Sequence, residues 1–407
     1  MKLLEGAQML IQRPRYIKFL KKFQDTEFIK VITGVRRSGK TYLMNMFIDE
    51  LLKKGIHQDQ IIHINFENLQ YSKLDDYMKL WQYVHDHEVK GKKNYLFFDE
   101  IQNVREWERA INSFRIDMDA DIYVTGSNSH LLSGELATLL AGRYVELTVF
   151  PISFAEFFNF KKGQPFQENE LFDEYLQTGG FPNAILAPDV DFKTTVLQDI
   201  FNTIMYRDVA LRANTKNDRA IVAIAEYLMS EIGNPISANK IAGALQSTGF
   251  KTQPKSVISY LDLLEQAFIF YRARRYDIRG KKWLQTLSKY YVVDTSLRSI
   301  QLKRSSRDNL GHVLENIVFI ELLRRGYKVD VGNYDNKEID FLARKGDKIE
   351  YYQVTLHIPE NSTRETDNLR FIPTGYPKTV LSLDARDVGQ VEGIQIKYVL
   401  NWLLESE

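Results

Sequence analysis

The sequence has no cysteine in its 407 residues, which excludes disulfides, thiolate zinc sites and cysteine nucleophiles and fits a reducing compartment. It has no excess of charge either. Lysine and arginine total 54 against 53 acidic residues, a net of +1, so any nucleic-acid surface must be local. No apolar run approaches the roughly 18 residues of a membrane span. The opening stretch, MKLLEGAQMLIQRPRY, lacks a secretory apolar core with a small-residue cleavage site. A cytoplasmic protein without a membrane partner is therefore expected. Repeats of about 20 to 50 residues and low-complexity segments are absent, and no G-x-S-x-G motif supports a serine hydrolase. The HDHE run from His85 to Glu88 has no second ligand pair at metal spacing and reads as a solvated helix face.

What is present is ordinary globular composition, 44% hydrophobic and 26% charged, in a chain of about two to four domains' length. Apolar runs alternate with amphipathic stretches over the first 150 residues: IKVIT then TYLMNMFIDELLKK, IIHINF then a helical segment, NYLFFDE then VREWERAINSF, DIYVTG then SHLLSGELATLL. That rhythm predicts α/β architecture, a parallel sheet with helices on both faces. It stops near VFPISFAEFF, after which residues 151 to 232 read as mostly helical, broken by a turn at TGGFPNA.

Between the IKVIT run and the helix that follows, Gly34, Gly39, Lys40 and Thr41 satisfy G-x-x-x-x-G-K-[ST]. Such a loop offers backbone N–H groups and a helix N-terminus to phosphates, so Gly34, Ser38, Gly39, Lys40, Thr41 and Tyr42 are the candidate nucleotide contacts. Lys40 would reach the β and γ oxygens, and the Thr41 hydroxyl would ligate magnesium. NYLFFDE supplies the second element hydrolysis requires: Asp99 to support the metal and Glu100 to polarise the attacking water. The polar end of DIYVTGSNS, at Ser127 and Asn128, is placed to sense the γ-phosphate, with a plain helix cap by Ser127 or Ser129 as the alternative. Arg36 and Arg37 read as solvated arginines.

TGVRRSGKT, LFFDEIQNV, VTGSNSHLLS and LAGRYVELTVFPISFAEFF, extended by YLQTGGFP and IMYRDV, together resemble the prokaryotic AAA-type P-loop ATPases whose carboxyl half is a domain of unknown function. The resemblance covers nearly the whole chain. It implies ATP as the nucleotide, and it makes Arg143, in AGRY, a candidate arginine finger acting on ATP in the same or an adjacent subunit of a homo-oligomer. From the residues alone, an arginine opening an edge strand is more often a surface ion pair.

Residues 217 to 300 read as three amphipathic helices followed by a strand hairpin, a winged helix-turn-helix. The stretch RARRYDIRGKK carries six basic residues against one acid. With Lys251 and Lys255 at the start of the presumed recognition helix, Arg272, Arg274, Arg275, Lys281 and Lys282 make a candidate contact surface for double-stranded DNA. Winged helices also dock proteins, so a protein partner stays open.

Residues 301 to 407 resemble the restriction-endonuclease core, in which a helix glutamate, a strand aspartate and a following E-x-K bind magnesium and position water. Glu315 and Asp340 fit the acids, while Gln353 and Thr355 stand at the E-x-K positions. Threonine cannot supply the ammonium that orients the nucleophilic water, so a degenerate nuclease-like domain is expected.

The sequence thus divides into a P-loop ATPase core (1–150), a helical lid or linker (151–216), a winged helix (217–300) and a nuclease-like α/β domain (301–407). The function expected is magnesium-dependent ATP hydrolysis that moves a carboxyl-terminal DNA- or partner-binding module. A nucleotide switch with little hydrolysis, an ATP-regulated nuclease and a DNA-binding regulator with a vestigial ATPase are the rivals.

Overall fold

A computed structural model describes residues 11–129, 140, 142–163, 167–213, 218–305, 307–335, 337–360 and 363–405. The chain forms two compact units, one of Gln12–Phe150 with Gln266–Phe268 and the other of Pro151–Glu265 with Ile269–Glu407.

The first unit contains strands β1 (Ile29–Thr33), β2 (Ile61–Asn65), β3 (Asn94–Asp99), β4 (Ala120–Thr125) and β5 (Tyr144–Thr148), and helices α1 (Pro14–Phe23), α2 (Lys40–Lys53), α3 (Tyr77–His87) and α4 (Trp107–Asp117). All strand pairs are parallel, in the order β2-β3-β4-β1-β5. Every residue of β1 and β3 is buried, as a parallel sheet covered on both faces requires. Alternation along the strands divides the core. Val31, Leu96, Phe98, Ile122 and Val124 pack with Leu80 and Val84 of α3 and Ile111 and Phe114 of α4, while Ile32, Phe97 and Tyr123 pack with Leu20 of α1 and Phe47 of α2.

The sheet order decides where chemistry can occur. With β4 between β1 and β3, the carboxyl ends of those three strands stand side by side, and their loops open on one edge.

The second unit begins with α5 (Phe154–Lys161), α6 (Glu168–Thr178) and α7 (Val190–Thr203), which runs on into a π-helix at Ile204–Ala210. Next come α8 (Asp218–Ser230), α9 (Ala238–Ser247) and α10 (Pro254–Gln266), then β6 (Phe270–Asp277), β7 (Lys282–Val292) and α11 (Thr295–Leu302). The remainder is α12 (Leu310–Arg324), β8 (Lys328–Tyr334), β9 (Lys337–Lys345), β10 (Lys348–Thr355), α13 (Arg364–Arg370), β11 (Lys378–Ser382), β12 (Gly389–Val391), β13 (Ile394–Tyr398) and α14 (Val399–Leu404). One mixed sheet, in the order β12-β13-β11-β10-β9-β8-β6-β7, joins all these strands.

That sheet departs from the sequence reading. The β6–β7 hairpin is not set apart at residue 300. β6 pairs in parallel with β8 through Arg275, Tyr276 and Asp277, so the hairpin extends the carboxyl-terminal sheet. Pairing removes an open backbone edge, which a free hairpin would leave exposed, and the alternation of residues along β6 carries no information about which strand it will meet. Among the described residues, no helix is long and apolar enough to cross a membrane.

Candidate functional site

Strand β1 ends at Thr33, and the chain turns at once through Gly34, whose φ is 135°. A Cβ there would stand 2.2 Å from the Val149 carbonyl oxygen, so both the conformation and the close approach demand glycine. Gly39, at φ 96°, lets the loop enter α2 abruptly, and no side chain caps that helix. Its first N–H groups are therefore left for an anion. Ser38 is fully buried, and its Oγ has no hydrogen-bond partner among the described residues. Lys40, 5% exposed, donates from Nζ to the carbonyl oxygens of Gly34 at 2.9 Å and Val35 at 3.2 Å. The half-buried Tyr42 is pushed above the ordinary phenol range by burial and then by the charge of Asp49. An uncapped helix, an orphaned buried hydroxyl and an ammonium on one glycine loop fit a phosphate group.

Asp99 closes β3 and is 1% exposed. Its Oδ2 accepts from Thr41 Oγ1 at 2.7 Å and Asn65 Nδ2 at 3.0 Å, and its Oδ1 accepts from Thr125 Oγ1 at 2.5 Å. Burial raises its pKa, and the Thr125 and Thr41 hydroxyls oppose the rise. Glu100 follows in the left-handed region at φ 55°, uncommon for a residue with a Cβ. Its backbone N–H donates to Thr125 Oγ1 at 3.0 Å, and its Oε2 accepts from Gln102 Nε2 at 2.5 Å. A single hydroxyl, Thr125, thus ties the Asp99 carboxylate to the Glu100 backbone. The Thr41 hydroxyl and Asp99 carboxylate together suit a hard divalent cation. Buried Ser127 and Asn128 follow β4, in the gap between the loop after β1 and the acids after β3. Thr125, Asn65 and Gln102 escaped the sequence reading. Their signal is a polar residue closing, or just following, a buried strand.

Arg143 lies at the other end of β1 from the glycine loop. It is exposed, and its carbonyl accepts from Ile29 N at 2.9 Å, which sets it beside the first residue of β1. The glycine loop leaves the last residue of the same strand, roughly 15 Å away at the strand rise per residue. That separation exceeds an arginine's reach, so action on nucleotide in the same subunit does not follow. Arg36 pairs with Glu67 at 3.2 Å. His85 and His87 stack on Trp81 and Tyr83 of α3, with centroids 4.0 and 4.1 Å apart.

In the second unit, Glu315 on α12 and Asp340 on β9 are both buried, and Gln353 lies opposite Asp340 on β10. Asp340 N donates to Gln353 Oε1 at 3.4 Å, and Val354 N donates to Asp340 Oδ2 at 2.8 Å. Thr355 turns its hydroxyl to the His357 carbonyl at 3.1 Å. Lys289 of β7, which the sequence reading overlooked, is 3% exposed. Its Nζ lies 2.9 Å from Glu315 Oε1 and 2.8 Å from Glu338 Oε1. Tyr291 OH donates to Glu315 Oε1 at 2.6 Å. Burial pulls the Lys289 pKa down, but Glu315, Asp340 and Glu338 outweigh it and hold the ammonium above its usual range. Asp340 is held well above the carboxylate range by burial first and by the charge of Glu315 second. Elsewhere among the described residues, His357, Asp384 and Asp387 bring three ligand atoms close enough for one ion, but Arg386 and Ser382 already engage the two carboxylates.

The candidate DNA contacts are unevenly available. Lys251, Lys255, Lys281 and Lys282 are exposed. Arg272 lies 3.8 Å from Glu265, and Arg274 lies 4.0 Å from Asp330 with its guanidinium 4.7 Å over the Trp283 ring. Arg275 is half-buried, with an Nε that has no partner among the described residues. Acids outside RARRYDIRGKK therefore offset part of its charge.

Residues 26–158 match the family model of an AAA domain, and residues 169–308 that of a domain of unknown function, DUF8612. An uncharacterized protein of Haemophilus influenzae is 43% identical over 402 residues, 98% of this chain and 100% of that protein. A second, from Methanocaldococcus jannaschii, is 34% identical over 356 residues, 83% of this chain and 77% of that protein. Among solved structures, a Walker-type ATPase of Pyrococcus abyssi superposes with a TM-score of 0.51 at 14% identity, covering 72% of this chain and 96% of that one. This last likeness is one of fold.

Proposed function

The chain belongs to one family with its Haemophilus influenzae and Methanocaldococcus jannaschii relatives and carries an AAA domain, and from that premise we propose that it is a cytoplasmic magnesium-dependent ATPase whose nucleotide state moves a carboxyl-terminal binding module. One observation carries the reading. The Thr41 hydroxyl, the Asp99 carboxylate, the Thr125 hydroxyl and the Glu100 backbone form one hydrogen-bonded chain from phosphate loop to general base. Lys40 and the N–H groups of the loop bind the β and γ phosphates, with Gly34, Ser38, Gly39 and Tyr42 shaping the cradle. Thr41 and Asp99 hold magnesium, which supplies charge neutralisation on the phosphate oxygens. Glu100 orients the attacking water, and Ser127 or Asn128 reports the γ-phosphate. Arg143 acts on the nucleotide of a neighbouring copy in a homo-oligomer.

We assign α8 to α10 with the β6–β7 hairpin to a winged-helix module that takes double-stranded DNA or a protein partner. The succession α12-β8-β9-β10-α13-β11, with its antiparallel β9–β10 hairpin and parallel β10–β11 pair, supports a restriction-endonuclease-like core beside it. The test is magnesium-dependent phosphate release from ATP by wild type and Glu100→Gln, with and without duplex DNA. Turnover abolished in Glu100→Gln while nucleotide binding persists is the expected result. Equal turnover in both proteins would overturn the hydrolytic assignment.

A second reading, a nucleotide switch with little hydrolysis, is favoured by the contact between Gln102 and Glu100, which occupies one oxygen of the base. Under that reading Gln102→Ala raises turnover. Under the first it leaves turnover unchanged or lowers it.

A further inference from the structure

Resting on the restriction-endonuclease-like reading of α12 to β11, we propose that Lys289 is the resident cation of that centre: its ammonium takes the place a divalent metal would hold and silences the site from within. The argument starts from the strands. Lys289 and Tyr291 are two residues apart on β7 and present one face, as do Glu338 and Asp340 on β9. Opposite Lys289 on β6 stands Ala273, a fully buried small residue. The long side chain reaches inward to Glu315 and Glu338, with Nζ 2.9 and 2.8 Å from a carboxylate oxygen of each.

One oxygen of each acid that a metal would recruit is already engaged. Glu315 Oε1 accepts from both Lys289 Nζ and Tyr291 OH. Asp340 Oδ2 accepts from Val354 N, and Gln353 Oε1 from Asp340 N. A divalent ion entering here would displace a charged donor already hydrogen-bonded to the acids, and would bring two like charges close together in a buried site. An ammonium balances carboxylates but has no empty coordination position, so it neither binds water as a Lewis acid nor lowers that water's pKa. The centre keeps its acids and loses its chemistry.

The competing role for Lys289 is the catalytic lysine missing at Thr355, arriving from another strand. A lysine acting on a nucleophilic water must face that water and a phosphodiester. Lys289 is 3% exposed, and the two carboxylates claim its Nζ. The geometry favours the cation role.

The experiment uses the full chain without nucleotide and titrates Mn2+, read by electron paramagnetic resonance. Four proteins are compared: wild type, Asp340→Asn, Lys289→Met, and the double variant. Contributions from the phosphate loop are common to all four and cancel. Wild type and Asp340→Asn are expected to bind the same amount of Mn2+, Lys289→Met to gain a further ion, and the double variant to lose it. Should Lys289→Met not fold, Lys289→Gln, which keeps a donor without the charge, carries the same arms. Mn2+ bound by wild type and lost in Asp340→Asn would overturn the proposal while leaving the nuclease-like reading intact. No gain in either lysine variant would overturn both. Mn2+-dependent DNA cutting by wild type that Lys289→Met abolishes would assign the lysine to catalysis instead.

Discussion

Lys40 and Lys289 are both buried lysines, 5% and 3% exposed, yet their surroundings differ in kind. The hydrogen bonds from Lys40 to Gly34 and Val35 go to neutral carbonyls, beside an uncapped helix and the unpartnered Ser38 hydroxyl. Lys289 is bonded to two carboxylates, one of which also accepts from the Tyr291 hydroxyl. Carbonyls hold an ammonium in place without cancelling its charge, which suits the first lysine to phosphate. Carboxylates do cancel it, and the second lysine is spent on the fold. The carboxylates show the same contrast. Asp99 is held by hydroxyls and an amide, neutral donors that a metal can replace, whereas Glu315 is held by a charge. What separates a site built for a ligand from one built for itself is the uncompensated remainder.

Removing each lysine in turn breaks this comparison most forcefully. Lys289→Met leaves buried carboxylates without their cation and should cost roughly 3–5 kcal/mol of stability, the usual loss when one partner of a buried pair is removed. Lys40→Met should cost less, about 1 kcal/mol for the hydrogen bonds to the Gly34 and Val35 carbonyls, while nucleotide binding collapses. Urea unfolding of the two variants and wild type reads the difference. Comparable losses would show that the loop lysine is also structural.

Thr125→Val comes next. It strips the hydroxyl shared by Asp99 and Glu100 but retains the shape, leaving a buried carboxylate oxygen and a buried N–H unsatisfied, at about 1–3 kcal/mol. Phosphate release should fall more than nucleotide binding does, because the variant loosens the base rather than the loop. Loss confined to binding would place Thr125 with the cradle instead.

A smaller effect is expected from pH. Asp340 holds its proton more tightly in the folded protein than when unfolded, so its contribution is fully present below the ordinary aspartate range, near 4, and declines as pH rises through the folded value. Asp340→Asn removes that decline, and its urea midpoint should depend less on pH above about 4 than that of wild type. An unchanged slope would mean that Asp340 shares the charge of Lys289 fully.

How much of this was legible in the sequence follows from distance along the chain. The phosphate loop is contiguous, and its strand and helix announce themselves on either side, so Gly34, Gly39, Lys40 and Thr41 could be read directly; Asp99 and Glu100 followed because a strand's end marks the sheet's functional edge. Thr125 and Asn65 come from neighbouring strands and acquire meaning only through the order β2-β3-β4-β1-β5. Which end of β1 Arg143 meets likewise follows only from the register. Lys289 was hidden most completely. The missing ammonium was sought two residues beyond Gln353 on the same strand, while the structure delivers one from β7, 26 residues before Glu315.

The smallest effect concerns DNA, and here the contrast between engaged and available charge recurs within one surface. Lys251, Lys255, Lys281 and Lys282 are exposed, whereas Arg272 and Arg274 lean on Glu265 and Asp330. Each available lysine that meets a phosphate should contribute about 0.9 to the salt slope of binding, so Lys255→Ala should lower that slope by nearly 1. Arg272→Ala should change it little at pH 8. Glu265, however, is pushed up to about 7 by burial, with the Arg272 charge opposing. Below pH 7 it takes up a proton and no longer competes for the guanidinium, so the Arg272→Ala effect should grow at pH 6 while that of Lys255→Ala stays constant. Fluorescence anisotropy of a labelled duplex across a salt series at both pH values measures all four quantities. Slopes insensitive to every one of these substitutions would take DNA away from this face and leave the module to a protein partner.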